Sequence, residues 1–233
     1  MPGLGADADL VYPQIEHFGE RLWVCTGLTP QQLKGQVPSM GWAAQHSAKI
    51  ISTQLSPDRP YVLGGMSFGG SLAMEMARLL EPKPSAIVLI SCNRTADTIP
   101  TSFRINRLFG SMLPHSMIRY SLSALSRFFS KRESLDAEDR ERLFAMANRA
   151  EIPSLLWGAA AVAKWKFDDS DAEQLGIPIH QIHGQFDWVI PRHEPHLSEE
   201  ISGGRHLITW THPERINHFI EQVLEETLTC RAV

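Results

Sequence analysis

Apolar residues fall in short continuous runs that alternate with stretches of helical spacing. Leu22-Trp23-Val24-Cys25-Thr26 reads as a short buried strand. Met40 to Leu55 reads as a helix ended by Ser56-Pro57. Tyr61-Val62-Leu63 is a β-rich run that leads into glycines, and Phe68 to Leu80 is helical, stopped near Pro82 and Pro84. Ala86-Ile87-Val88-Leu89-Ile90 is continuously apolar, as a strand covered on both faces must be. Ile177 to Ile182 is again strand-like, and Pro213 to Leu228 is a closing amphipathic helix. Strands alternating with helices predict an α/β fold: a mostly parallel sheet with flanking helices.

The pattern changes after Cys92. Residues 93–172 offer no strand, and their apolar positions keep mostly helical spacing among Arg and Lys at 104, 107, 119, 127, 131, 132, 140, 142 and 149. Ser134-Leu135-Asp136-Ala137-Glu138-Asp139 has the form of a helix start, with acids in its first turn. The expected organisation is an α/β core over 1–92 and 173–233, interrupted by a helical insertion over 93–172.

Composition narrows the classes. The 233 residues suit one large domain, and the 43% hydrophobic content supplies a sizeable core. A net charge of −4 argues against nucleic-acid and anionic-membrane partners, which call for a basic patch. No apolar run is long enough to span a membrane, and the start is no signal peptide. Cys25, Cys92 and Cys230 form no C-x-x-C pair, which points to a reducing, cytoplasmic setting.

Candidate chemistry centres on Gly65-Met66-Ser67-Phe68-Gly69, a G-x-S-x-G turn between a strand and a helix. Such a turn lifts the serine Oγ above the sheet edge, and crowding demands small neighbours two positions away. The backbone N–H of Phe68, at the helix N-terminus, then faces a developing oxyanion. Gly69, Gly70, Ala73 and Ala77 line up as a small-residue stripe for close packing on the sheet.

A serine nucleophile needs a histidine base, and the histidine needs a carboxylate. Asp187 follows the strand-like segment at 177–182, on the sheet edge expected to hold Ser67; Asp97 is the fallback acid, and Asp168, Asp169 and Asp171 read as a solvated charge run. Among ten histidines, His206 follows the flexible Gly203-Gly204-Arg205 approach. His218 lies about 200° round the last helix from Ile216, so it faces solvent. His183 reads as structural, His212 as a residue near a helix cap, and His193 and His196 as loop residues.

These three segments, in this order, resemble the α/β-hydrolase superfamily, in its serine-nucleophile, esterase-like branch. The resemblance implies Ser67 as nucleophile, Asp187 as acid and His206 as base, with 93–172 as the cap or lid. It also implies that Pro2-Gly3-Leu4-Gly5-Ala6-Asp7 is the oxyanion loop, its Leu4 N–H joining that of Phe68. Three departures stand out. Only 19 residues separate Asp187 from His206, which suggests a helix reduced to a loop. Arg205 replaces a small residue. The strand that precedes the oxyanion loop in the family is not in the sequence, which predicts an incomplete chain; a central strand lost from the sheet would leave backbone groups unpaired at about 1–3 kcal/mol each.

The expected function is a carboxylesterase-like serine hydrolase acting through an acyl-enzyme on a small-molecule acyl substrate, with no metal or organic cofactor. The same residues serve a thioesterase or a carbon–carbon bond hydrolase, and a non-catalytic binding protein is the reading from another class. Phe103, Leu108, Phe109, Met112, Leu113 and Met117, with Trp157 and Trp165, line an acyl site or, the favoured expectation, pack the lid onto the core.

Overall fold

Among the described residues, four parallel strands make one sheet in the order β1 (Val62–Met66), β2 (Ala86–Ile90), β3 (Ile179–Gly184) and β4 (Glu199–Ile201). The computed structural model describes residues 1–100 and 113–229. Val62 pairs with Ala86, Ile87 with Ile179, and Ile182 with Glu199, so the strands end at nearly one level. The helices are α1 (Tyr12–Phe18), α2 (Pro30–Leu33), α3 (Met40–Ser52), α4 (Phe68–Ala77), α5 (His115–Arg132), α6 (Ala137–Arg149), α7 (Ile152–Val162), α8 (Asp169–Gln174), α9 (Ile208–Thr211) and α10 (Pro213–Thr229).

The two-residue period of a strand divides the core. Ile87 and Leu89 point to one face, where they meet Ala44, Ala73, Met76 and Ala77 of α3 and α4. Ala86, Val88 and Ile90 point to the other, against Ile208, Ile216 and Phe219 of α9 and α10. Every residue of β2 is therefore buried, which is why its sequence shows no alternation. The small-residue stripe of α4 does what its composition suggests. A Cβ on Gly65 would lie 2.2 Å from the carbonyl of Gly69, so strand and helix meet backbone to backbone.

Two expected features change. Leu22–Thr26 is not a strand and is not buried; Trp23 is 62% exposed. Its composition suits a strand, but pairing is not local, and none of its backbone joins the sheet. The outer edge of β1 instead bonds to Met1, whose amine donates to Gly64 O (2.8 Å) and whose carbonyl accepts from Met66 N–H (3.0 Å). The second change is β4, which is short and polar at Glu199 and Glu200 and gave no apolar signal.

Helices α5 to α8 all fall between β2 and β3. Asp136 caps α6 by accepting from Asp139 N–H, with Glu138 and Asp139 in the first turn. Of the predicted acyl or lid residues, Phe103, Leu108, Phe109 and Met112 lie outside the described residues. Trp165 is core and donates to Glu75 (2.7 Å), whereas Leu113 and Met117 are exposed. Among the described residues no helix is long and apolar enough to cross a membrane.

Candidate active site

Ser67 stands at the junction of β1 and α4 with φ +53° and ψ −124°, a conformation side chains resist. Its N–H donates to Ile90 O at 2.9 Å, which ties the turn to the end of β2. Gly70 N–H donates to the Ser67 carbonyl at 2.9 Å. The N–H of Phe68, first in α4, has no acceptor within its own helix.

The loop at the start of the chain lies against this turn. Gly3 to Ala6 forms a turn closed by Ala6 N–H to Gly3 O (3.2 Å), and a Cβ on Gly3 would sit 3.5 Å from Ser67 Cβ. Leu4 is therefore held beside Ser67 and Phe68, and its side chain reaches the backbone of Gly158 on α7.

Asp187 and His206 meet on the same sheet edge. Asp187 is fully buried as a side chain, and its Oδ2 lies 2.8 Å from His206 Nδ1. Its Oδ1 accepts from the N–H groups of Val189 and Ile190, both at 2.9 Å. Two loops are stitched together to achieve this. Phe186 N–H donates to Gly204 O (2.8 Å), and Gln185 N–H to Ile201 O (3.0 Å). A Cβ on Gly184 would fall 2.2 Å from the Arg205 carbonyl, so only glycine admits this approach. Ser91, just past β2, donates its hydroxyl to the His206 carbonyl at 2.8 Å and its N–H to Ile182 O. The ends of β1, β2 and β3 thus carry Ser67, Ser91 and Asp187 in sequence, with His206 anchored above them. Ser67 Oγ forms no hydrogen bond to His206 among the described residues.

The other candidates go elsewhere. Asp97 is exposed, Asp168 caps α8, and Asp169 pairs with Arg94 and His196. His218 is exposed, as its helical position requires. Between Asp187 and His206 the chain holds β4 and one 3-10 turn (Glu194–His196) rather than a helix, which accounts for the short spacing. Arg205 fills its unusual place by donating to the Arg132 carbonyl and to Ser134 Oγ.

Two residues of the site were not legible in the sequence. The first is His183, completely buried, whose Nε2 lies 2.7 Å from Ile190 O and 3.2 Å from Asp187 Oδ2. Both neighbours are acceptors, so Nε2 carries the proton, while Nδ1 is buried with no partner among the described residues. His183 is therefore more than a turn residue: it gives Asp187 a fourth donor. Burial, the largest influence, pushes the Asp187 carboxyl upward; the His206 charge and the bonds from His183 and His206 more than offset this and hold it well below the usual carboxylate range. The second is Glu133, also buried, which accepts from Trp188 Nε1 (2.7 Å) and from Leu207 N–H (2.8 Å). It links the end of α5 to the neighbour of Asp187 and the neighbour of His206. Within Lys131-Arg132-Glu133-Ser134 it looks like part of a solvated charge run.

His183→Phe keeps the ring volume but removes a donor shared by Ile190 O and Asp187. The expected loss is about 1–3 kcal/mol, read as a lower urea midpoint at neutral pH. The sign of the acid effect follows from linkage. The folded pKa of Asp187 is lowered, so its stabilisation is complete above the unfolded value of about 3.9 and fades as pH falls through the folded value. The variant raises that folded value, so its acid unfolding begins at a higher pH; coincident acid curves would show that His183 does not act on Asp187.

A cavity of about 210 Å³ is lined by Leu4 and Phe68 and not by Asp187. Leu28, Leu33, Leu72, Leu155 and Trp157 supply apolar walls. Ser154 Oγ, on α7 at the cavity, is buried and has no hydrogen-bond partner among the described residues.

A parallel sheet with a serine in a strained strand-to-helix turn, and an aspartate–histidine pair beyond the following strands, defines a class of protein. Residues 29–100, which include the serine turn, match the model of the thioesterase domain. Over 81 residues the chain is 37% identical to the nonribosomal peptide synthetase agiA of Aspergillus flavus; this covers 35% of the chain and 1% of that much longer relative. Among solved structures, an esterase from Thermogutta terrifontis superposes with a TM-score of 0.71 at 20% identity, covering 97% of this chain and 88% of that one. MenH from S. aureus gives 0.74 at 14% identity, with 98% and 92% covered. A carboxylesterase of Nitrososphaera gargenis gives 0.73 at 13% identity, with 98% and 89% covered. The chain has the α/β-hydrolase fold.

Proposed function

We propose that this chain is a serine hydrolase that cleaves acyl thioesters, and oxygen esters with the same machinery, through an acyl-enzyme. The observation that carries the reading is the buried Asp187–His206 pair, at 2.8 Å, on the sheet edge that also presents Ser67 in its strained turn. His206 Nε2 takes the Ser67 proton as Oγ attacks the acyl carbon. The N–H groups of Phe68 and Leu4 hold the oxyanion. Collapse breaks the acyl–sulfur or acyl–oxygen bond, and the leaving group departs with the proton from His206. Water, deprotonated by His206, then releases the acid and restores Ser67. Asp187 keeps the Nδ1 proton in place and balances the imidazolium. Ser67 Oγ and His206 Nε2 form no hydrogen bond among the described residues, and such contacts commonly tighten only when substrate is bound.

Thioesters come first because the matched thioesterase segment contains the serine turn and, from the cavity wall, Leu33, Phe68 and Leu72. The helices over 93–172 act as the cap, with α7 closing the cavity. At about 210 Å³ the space is smaller than the roughly 300–1,000 Å³ of ordinary ligand pockets, which suits a short or medium apolar acyl group. The test is a fluorophosphonate probe followed by intact mass and peptide mapping, with butyryl, octanoyl and dodecanoyl thioesters and matching esters assayed alongside. The expected result is a single adduct on Ser67 and faster turnover of the shorter chains. A folded protein that takes no label would end the serine-hydrolase reading; a labelled protein that prefers dodecanoyl would end only the cavity assignment.

A further inference from the structure

Helix α5 turns Ile118, Ser126 and Ser130 inward, with Leu122 and Phe129 half-buried beside them. Ser126 and Ser130 are buried, and each folds its hydroxyl back onto a carbonyl of its own helix, Ser123 O at 2.9 Å and Arg127 O at 2.9 Å. The opposite face carries Met117, Tyr120, Ala124 and Phe128, spaced by three and four residues and therefore on one stripe. Tyr120 is 78% exposed, Met117 and Phe128 each 53%, and Leu125 beside them 48%. A helix that served only to cover the core would keep its outer face polar.

Charge says what such a face suits. No Asp or Glu occurs between Asp97 and Glu133, although the chain as a whole carries −4. On α5 the exposed cations Arg127, Lys131 and Arg132 flank and follow the apolar stripe. Arg119 is occupied, donating to Ala147 O and Asn148 O at the end of α6. Basic residues at a helix C-terminus suit its dipole, which explains Lys131 and Arg132 but not the exposed methionine and aromatic rings. A second copy of the chain fits poorly: pairing this face with itself would bring cations together with no acid on the helix to balance them.

We propose that the outer face of α5 docks on an anionic lipid surface. Met117, Tyr120 and Leu125 enter the headgroup–acyl boundary, and Arg127 and Lys131 meet the lipid phosphates, while Phe128 and Arg132 are held against the Trp188 ring. The net acidity of the chain, which argued against a membrane partner, conceals this local basic and apolar face. The proposal is independent of the hydrolase reading.

Cosedimentation of the full chain tests it, using vesicles of phosphatidylcholine alone and with about a third phosphatidylserine. Binding is expected to the anionic vesicles, weak to the neutral ones, and to fade as salt rises. Arg127→Ala with Lys131→Ala should lower the partition coefficient about thirtyfold, near fivefold per cation. Met117→Ser with Tyr120→Ser should abolish binding while turnover of a soluble ester stays unchanged. No binding at low salt would overturn the proposal, as would binding indifferent to both double variants. So would a concentration-dependent dimer, by sedimentation velocity, that Met117→Ser with Tyr120→Ser dissolves, because the face would then belong to a second copy.

Discussion

Ser67→Ala is expected to lower kcat by roughly a millionfold, the scale seen when the nucleophile of such a set is removed. No other hydroxyl takes its place. Ser91 Oγ is committed to the His206 carbonyl, and Ser71 lies inside α4 against Cys92. The substitution is expected to leave the fold intact, since Ser67 holds its surroundings through its backbone: the N–H to Ile90 and the carbonyl to Gly70. A second substitution separates chemistry from strain. Ser67→Gly removes the same hydroxyl and also the side chain that resists φ +53°. Strain of this kind costs about 1–3 kcal/mol, so Ser67→Gly should be as inactive as the alanine variant yet more stable, with a higher urea midpoint. Residual turnover in Ser67→Ala within a hundredfold of wild type would show that another group does the chemistry. A Ser67→Gly midpoint below that of Ser67→Ala would show that the turn is not strained.

Legibility in the sequence followed distance along the chain. The serine turn was readable because its causes are local: a strand, small residues at Gly65 and Gly69, and a helix, all within a few positions. The buried strand Ala86–Ile90 was readable because burial on both faces leaves an unbroken apolar run. Leu22–Thr26 misled because a strand is defined by its partner, and four apolar residues and a threonine do not name one. Asp187 and His206 were identified from where strands end and glycines bend, and the structure brings the two together. His183 and Glu133 escaped because their roles come from neighbours 4 and 74 residues away, respectively. A buried glutamate next to Lys131 and Arg132 has the composition of a surface, and only the fold turns it inward.

Asp187→Asn is the sharper test of how His206 is held. The carboxylate of Asp187 receives four donors: the N–H groups of Val189 and Ile190 on Oδ1, and His206 Nδ1 and His183 Nε2 on Oδ2. An asparagine can keep its oxygen toward the two backbone amides. Its NH₂ then faces two ring nitrogens that both carried protons, and donor opposes donor at each. His206 can relieve its conflict only by moving its proton from Nδ1 to Nε2. In that tautomer Nε2 no longer accepts the proton of Ser67, so the base is lost while every side chain keeps its volume. The expected fall in kcat is about 10⁴-fold, with KM little changed, because Asp187 does not line the proposed acyl cavity. Fluorophosphonate labelling of Ser67 should slow in proportion. Pairing Asp187→Asn with His183→Phe removes one of the two opposed donors; because His206 still faces the NH₂, the double variant is expected to regain little activity. Substantial recovery in the double variant would mean that His183, and not the His206 tautomer, accounts for the loss.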